Sequence, residues 1–170
     1  MDPTGLGVKC YRIGNVVALN IRIDFHGPGA DKATIDRFDA TIERLWSGPI
    51  GRYVVITSVS RGGDIDISIP LGKGRAWTMV GGTTGEWPQE RYPDWTPAHE
   101  AGHLMGLDAY DETTNVPFPG WDNDIMGRQT NVRPRKLSPL SWQPVVASRD
   151  ARWPISTTIS RGAVAFGRAT

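Results

Sequence analysis

Residues 99–106 read HEAGHLMG. His99 and His103 are four apart, and residues four apart on a helix lie on the same face. Both imidazoles can therefore aim at one ion, and zinc is held by such nitrogens at about 2.0–2.1 Å. Glu100 follows the first ligand, beside the metal rather than on it. From there a carboxylate can take a proton from activated water and later pass it to a leaving amine. The chain has three histidines, His26, His99 and His103. Two at metal spacing, with Glu100 between them and Gly106 three residues on, favour zinc chemistry over a buried helix that carries histidines by chance.

A catalytic zinc keeps three protein ligands and an open position for water. One class of zinc helix takes its third ligand from a later glutamate, but here the last glutamate is Glu112 and only Asp122, Asp124 and Asp150 are acidic beyond it. The other class takes it just past the glycine turn, where Asp108 and Asp111 stand. A carboxylate is an accepted zinc ligand. Asp108 is the expected third ligand because it lies nearer in sequence. Asp111 is the alternative, or a hydrogen-bond partner that orients a ligand, and His26 is an outside option.

These residues need elements to carry them. Thr96 suits an N-cap and Pro97 a first helical position. Gly106 suits a C-cap, so a motif helix is expected over about 97–105. Within the β-rich stretch 8–25, Val17, Leu19, Ile21, Ile23 and Phe25 alternate with polar or small residues, the period of a half-buried strand. Residues 31–47 space Ile35, Phe38, Ile42, Leu45 and Trp46 along one helix face, with Asp31 as cap and Gly48-Pro49 as stop. Strands are expected at 53–60, 64–69 and 75–82, a polar connection at 83–95, a Pro/Gly-rich loop at 113–123, and a helix start at Ser138-Pro139 that Pro144 would kink. This order predicts a single α+β domain: a twisted mixed β-sheet with two main helices, the zinc site on the second.

Composition agrees. A chain of 170 residues with 39% hydrophobic and 22% charged residues is long enough for a real core and ordinary for a soluble globular domain. A formal net charge of +1 gives no global field toward nucleic acid or a membrane. The arginines after Val132 are scattered rather than clustered, so they read as a solvated or packed face. No apolar run approaches the roughly 18 residues of a membrane span, and the N-terminus carries no signal-peptide pattern. Cys10, the one cysteine, reads as a packed core thiol rather than an inhibitory metal ligand. Asp122-Asn123-Asp124 reads as an Asx turn rather than a calcium site, and Trp121 could line a specificity pocket.

"HEAGHLMGLDAYDE" at 99–112 with "NDIMG" at 123–127 resembles the metzincin clan of zinc metallopeptidases, whose long motif is followed by a methionine turn. His99, Glu100, His103 and Gly106 match that motif. Where the clan places its third histidine this chain has Ala109, and Asp108 would stand in as the aspartate of some clan variants does, one place early. The resemblance implies that Met126 floors the metal site and that "AWTMVGG" (76–82) binds substrate as an added strand. The clan's usual tyrosine two residues past the methionine is Arg128 here, so Tyr110 and Arg128 are the candidate transition-state stabilisers.

"DPTGLG" at 2–7 resembles the junction that ends the core of rearrangement-hotspot (Rhs) repeat proteins. "GLDAY" and "GWDNDIMG" are similar to metallopeptidase toxin domains of polymorphic toxin systems. The implied organisation is a junction remnant at 1–7, a zinc metallopeptidase domain at 8–155 and an unassigned tail at 156–170. The implied function is a zinc endopeptidase, secreted or delivered into a target cell by a dedicated secretion system. It would act on a protein or peptide, with an Rhs core and a cognate immunity or inhibitor protein as partners. The alternatives are a zinc-binding interaction module without turnover and a zinc hydrolase acting on a non-peptide bond.

Overall fold

Alternating apolar residues give a strand one face to bury, and in the computed structural model Val17, Leu19, Ile21 and Ile23 are all buried along β2 (Val16–His26). The structure describes residues 7–90, 94–107, 110–111, 116–117, 124–127 and 155–156. The β-rich stretch is two strands, because Gly14-Asn15 forms a two-residue turn with Gly14 at a φ of 60°. Positive φ in so short a hairpin turn matches the strand twist. It folds β1 (Val8–Ile13) back antiparallel, Ile13 opposite Val16. Gly7, the end of the junction-like stretch, is already packed: its carbonyl accepts from Arg22 N at 2.6 Å. Cys10 is buried on β1, and burial pushes its thiol up to about 11, so it is an uncharged core group.

The first helix, α1 (Lys32–Leu45), starts at the expected cap, with Asp31 Oδ1 accepting from Thr34 N at 2.8 Å. That N–H holds the Asp31 carboxyl below the usual range. Phe38, Ile42 and Trp46 are fully buried, and Ile35 and Leu45 pack partly against the same core. Each such large side chain contributes roughly 1.5–3 kcal/mol on burial.

The chain then returns through β3 (Gly48–Ile50) to β4 (Tyr53–Ser68), which lies parallel to β2. The two strands expected at 53–60 and 64–69 are one. Register breaks between them, since Arg22 faces Ser60 and Ile23 faces Ile65, so Arg61–Asp64 bulge out of the ladder. Glycines make the bulge: Gly62 has a φ of 75°, and a Cβ at Gly63 would lie 2.3 Å from Arg22 O. The strand expected over 75–82 is only β5 (Trp77–Thr78), because the chain turns at Met79–Gly82. It pairs antiparallel with β6 (Thr84–Glu86), which occupies part of the stretch expected as a polar connection.

The mixed sheet runs β5-β6-β4-β2-β1 and ends on β9 (Ile155–Ser156), with β3 paired to β4. A second helix, α2 (Thr96–Leu104), shares one apolar core with α1 and the sheet. The fold is therefore α+β, one domain with a mixed sheet and two helices. After α2, β7 (Tyr110–Asp111) pairs antiparallel with β8 (Val116–Pro117), and β8 lies within the stretch 113–123 expected as a loop. Among the described residues no helix is long and apolar enough to cross a membrane. The helix expected from Ser138-Pro139 lies outside the described residues.

Candidate metal centre

The motif helix α2 starts one residue earlier than its sequence implies. Trp95, not Thr96, is the N-cap, it makes no side-chain cap bond, and Pro97 sits within the first turn. The helix is fixed instead by tertiary contact. Trp46 Nε1, from the end of α1, donates to Ala98 O at 2.7 Å in a buried setting. Its C-terminus closes as expected on Gly106, at a φ of 79°. Gly106 N donates to His103 O at 2.9 Å and Leu107 N to Gly102 O at 3.1 Å, the bond pair of a Schellman motif. The turn thus satisfies carbonyls that a helix end leaves open.

The same turn orients one histidine. His103 Nδ1 lies 2.7 Å from Leu107 O. A carbonyl oxygen only accepts, so Nδ1 carries the hydrogen and the lone pair of the neutral ring is on Nε2. His99 is held the same way by a distant partner: its Nδ1 lies 2.9 Å from Ile125 O. His99 is 2% exposed and packs its ring against Trp95, centroids 5.7 Å apart. The two imidazoles stand edge to face with centroids 4.8 Å apart and planes at 87°.

Ile125 belongs to a turn built on Asp124, whose Oδ1 accepts from Met126 N at 2.8 Å. Gly127 N donates back to Asp124 O at 2.9 Å. Asp124 therefore makes the expected Asx turn. Met126, fully buried, lies against α2 at Gly102, where a Cβ would be 2.1 Å from the thioether sulfur and 3.0 Å from Trp46 Cζ2. Gly102 is the one residue type that lets the turn approach this closely.

Glu100 is 1% exposed and accepts at Oε2 from Thr78 Oγ1, 2.8 Å away. The turn after β5 also touches the helix, Gly81 N donating to His103 O at 2.8 Å. The sheet's edge strand and the motif helix are thereby fastened together at the motif residues. Trp77 and Met79, on either side of Thr78, are 49% and 59% exposed.

Of the expected site residues, the structure brings His99, Glu100, His103 and Met126 together on and against α2. Tyr110 and Asp111 lie on β7, opposite Pro117 and Val116. Asp108, Ala109, Trp121 and Arg128 lie outside the described residues. His26 closes β2 at the surface, its Nδ1 paired to Asp66 Oδ1 at 2.6 Å. Among the described residues no group of three or more His, Cys, Asp or Glu side chains is arranged to hold a metal ion. The donor chemistry nevertheless fits zinc at two ligands, since metal-binding histidines hold their other ring N–H on a carbonyl or carboxylate in this manner.

Sequence reading missed the Trp46 bond to Ala98 O, the Thr78 hydroxyl at Glu100 and the Ile125 carbonyl at His99. Only the glycine left a trace: a glycine inside a helix costs about 1 kcal/mol against alanine, so Gly102 called for a packing reason. Compared with protein families and with curated proteins, the chain matches no family model and no curated sequence.

Proposed function

We propose that this domain is a zinc-dependent endopeptidase of the metzincin type. The observation that carries the reading is the pinning of both histidines. Each Nδ1 is held by a backbone carbonyl, at 2.9 Å for His99 and 2.7 Å for His103. Two imidazoles on adjacent helical turns, both with the Nε2 lone pair, form a prepared half-site for a metal. His99 and His103 supply two ligands and Asp108 the third, with Asp111 as the alternative. When bound, zinc supplies a Lewis acid that activates water and polarises a carbonyl.

The chain's own residues do the rest. Glu100 takes the proton of the attacking water and delivers it to the leaving amine. The β5 edge offers backbone groups for an extended peptide to pair with, as a strand added to the sheet. Trp77 on that strand and Met79 just after it present apolar surface. Tyr110 and Arg128 are the candidates to steady the developing oxyanion.

The delivered-toxin role rests on the "DPTGLG" resemblance, with an Rhs core and an immunity protein as the partners it implies. Two measurements test these readings. Zinc-loaded protein should cleave an unfolded protein, chelation should stop the reaction and zinc should restore it; zinc binding without any cleavage would instead support the interaction module. Expression in bacteria should impair growth, and Glu100→Ala should relieve it. Equal growth with both forms, in cytoplasm and periplasm, would remove the toxin role.

A further inference from the structure

A buried carboxylate must be held by hydrogen bonds if it is to keep one orientation. At Glu100 one of those bonds comes from a side chain the motif does not contain. Thr78 Oγ1 lies 2.8 Å from Glu100 Oε2 and 2.9 Å from Trp87 Nε1. The directions are forced. An indole N–H only donates, an ionised carboxylate only accepts, and a hydroxyl has one proton. Trp87 therefore donates to Thr78, and Thr78 donates to Glu100.

Each link is fixed from outside the site. Trp87 is 1% exposed and packs against Phe25 and Phe38, with centroids 5.7 and 6.1 Å away. Gly85 stands opposite Thr78 across the β5–β6 ladder. A Cβ at Gly85 would lie 2.7 Å from Trp77 O and 3.2 Å from Thr78 Oγ1, so glycine leaves the space that the hydroxyl needs.

We infer that Thr78 is a positioning residue for the catalytic base. The aromatic core fixes Trp87, Trp87 fixes the Thr78 hydroxyl, and the hydroxyl sets the rotation of the Glu100 carboxylate. Because Thr78 belongs to the edge strand, the same bond registers the base against the strand that a peptide would join. The inference rests on the peptidase reading of Glu100, and its two arms fail separately from that reading.

The first arm needs neither metal nor substrate. In metal-free protein the Trp87 indole N–H resonance, assigned by its loss in Trp87→Phe, should shift in Glu100→Gln and in Thr78→Val. It should stay near its wild-type position in Thr78→Ser. An indole resonance that does not move in Glu100→Gln overturns the relay, and this variant keeps the test open if Thr78→Val does not fold.

The second arm uses zinc-loaded protein and an unfolded protein substrate. A misplaced base should cost roughly ten- to a hundredfold in kcat for Thr78→Val, with KM and zinc affinity within about threefold of wild type. Thr78→Ser should restore most of the loss. Wild-type kcat in Thr78→Val, or an equal loss in Thr78→Ser, overturns the inference. A wild type that binds zinc and cleaves nothing overturns the peptidase reading instead, and the indole shifts still decide whether the relay exists.

Discussion

The two imidazoles of the site are held in opposite ways. His103 is held locally: its carbonyl partner, Leu107, lies four residues on, in the turn that ends its own helix. His99 is held from a distance, by Ile125, 26 residues away in the chain. The local half needs little more than a helix and a glycine stop. The distant half needs the Asp124 turn, the buried Met126 and the space at Gly102 to come together. A histidine pair can therefore be readable as a motif and still depend, for one of its members, on packing that the motif does not mention.

The largest effects are expected at the proposed ligands. His99→Ala and His103→Ala should each weaken zinc binding by more than the roughly 10–100-fold typical of a ligand-orienting partner. Asp108→Ala should do the same if it is the third ligand, while Asp111→Asn should stay within that range. Competition against a chelator of known affinity measures all four. The reverse result for the two aspartates would exchange their roles.

Next in size is Gly102→Ala, which strikes only the distant half. The new methyl must displace Met126 or Trp46, and such overpacking costs about 1–3 kcal/mol. For a domain of this size each kcal/mol lowers Tm by roughly 2–4 °C. Because Met126 adjoins Ile125, zinc affinity should fall as well, whereas a purely structural cost would lower Tm alone. Gly106→Ala strikes the local half. Left-handed backbone costs an alanine about 1–2 kcal/mol, and zinc affinity should fall through the Leu107 carbonyl that orients His103. Thermal unfolding and zinc titration of both variants show whether the halves fail independently.

The smallest effect belongs outside the site. His26→Ala removes an exposed pair with Asp66, and such pairs contribute roughly 0–1 kcal/mol. Zinc affinity should not change. A large loss of zinc in His26→Ala would make that histidine the third ligand.

The same contrast explains what could be read in the chain. The apolar stripe of α1, the alternation of β2 and the glycine stop of α2 follow from periodicity and backbone chemistry over a few neighbouring residues. The bulge at Arg61–Asp64, which joins two expected strands into β4, depends on pairing with β2 and has no local period. The β5 strand is shorter than expected because Ala76, Trp77, Met79 and Val80 favour a strand, whereas the turn at Met79–Gly82 ends it. The spacing of His99 and His103, Glu100 and Met126 carry residue-type signals. The Ile125 carbonyl carries none, since every residue has a carbonyl, and Thr78 becomes notable only once the sheet edge lies beside α2.

In the proposed mechanism Glu100 acts on water beside a metal it does not hold. Zinc content and cleavage of an unfolded protein, measured on the same preparations of wild type and Glu100→Gln, test it most directly. Loss of a general base should cost at least about a hundredfold in kcat, while bound zinc stays equal in the two proteins. Cleavage by Glu100→Gln at the wild-type rate, or loss of its zinc, would contradict that role for Glu100.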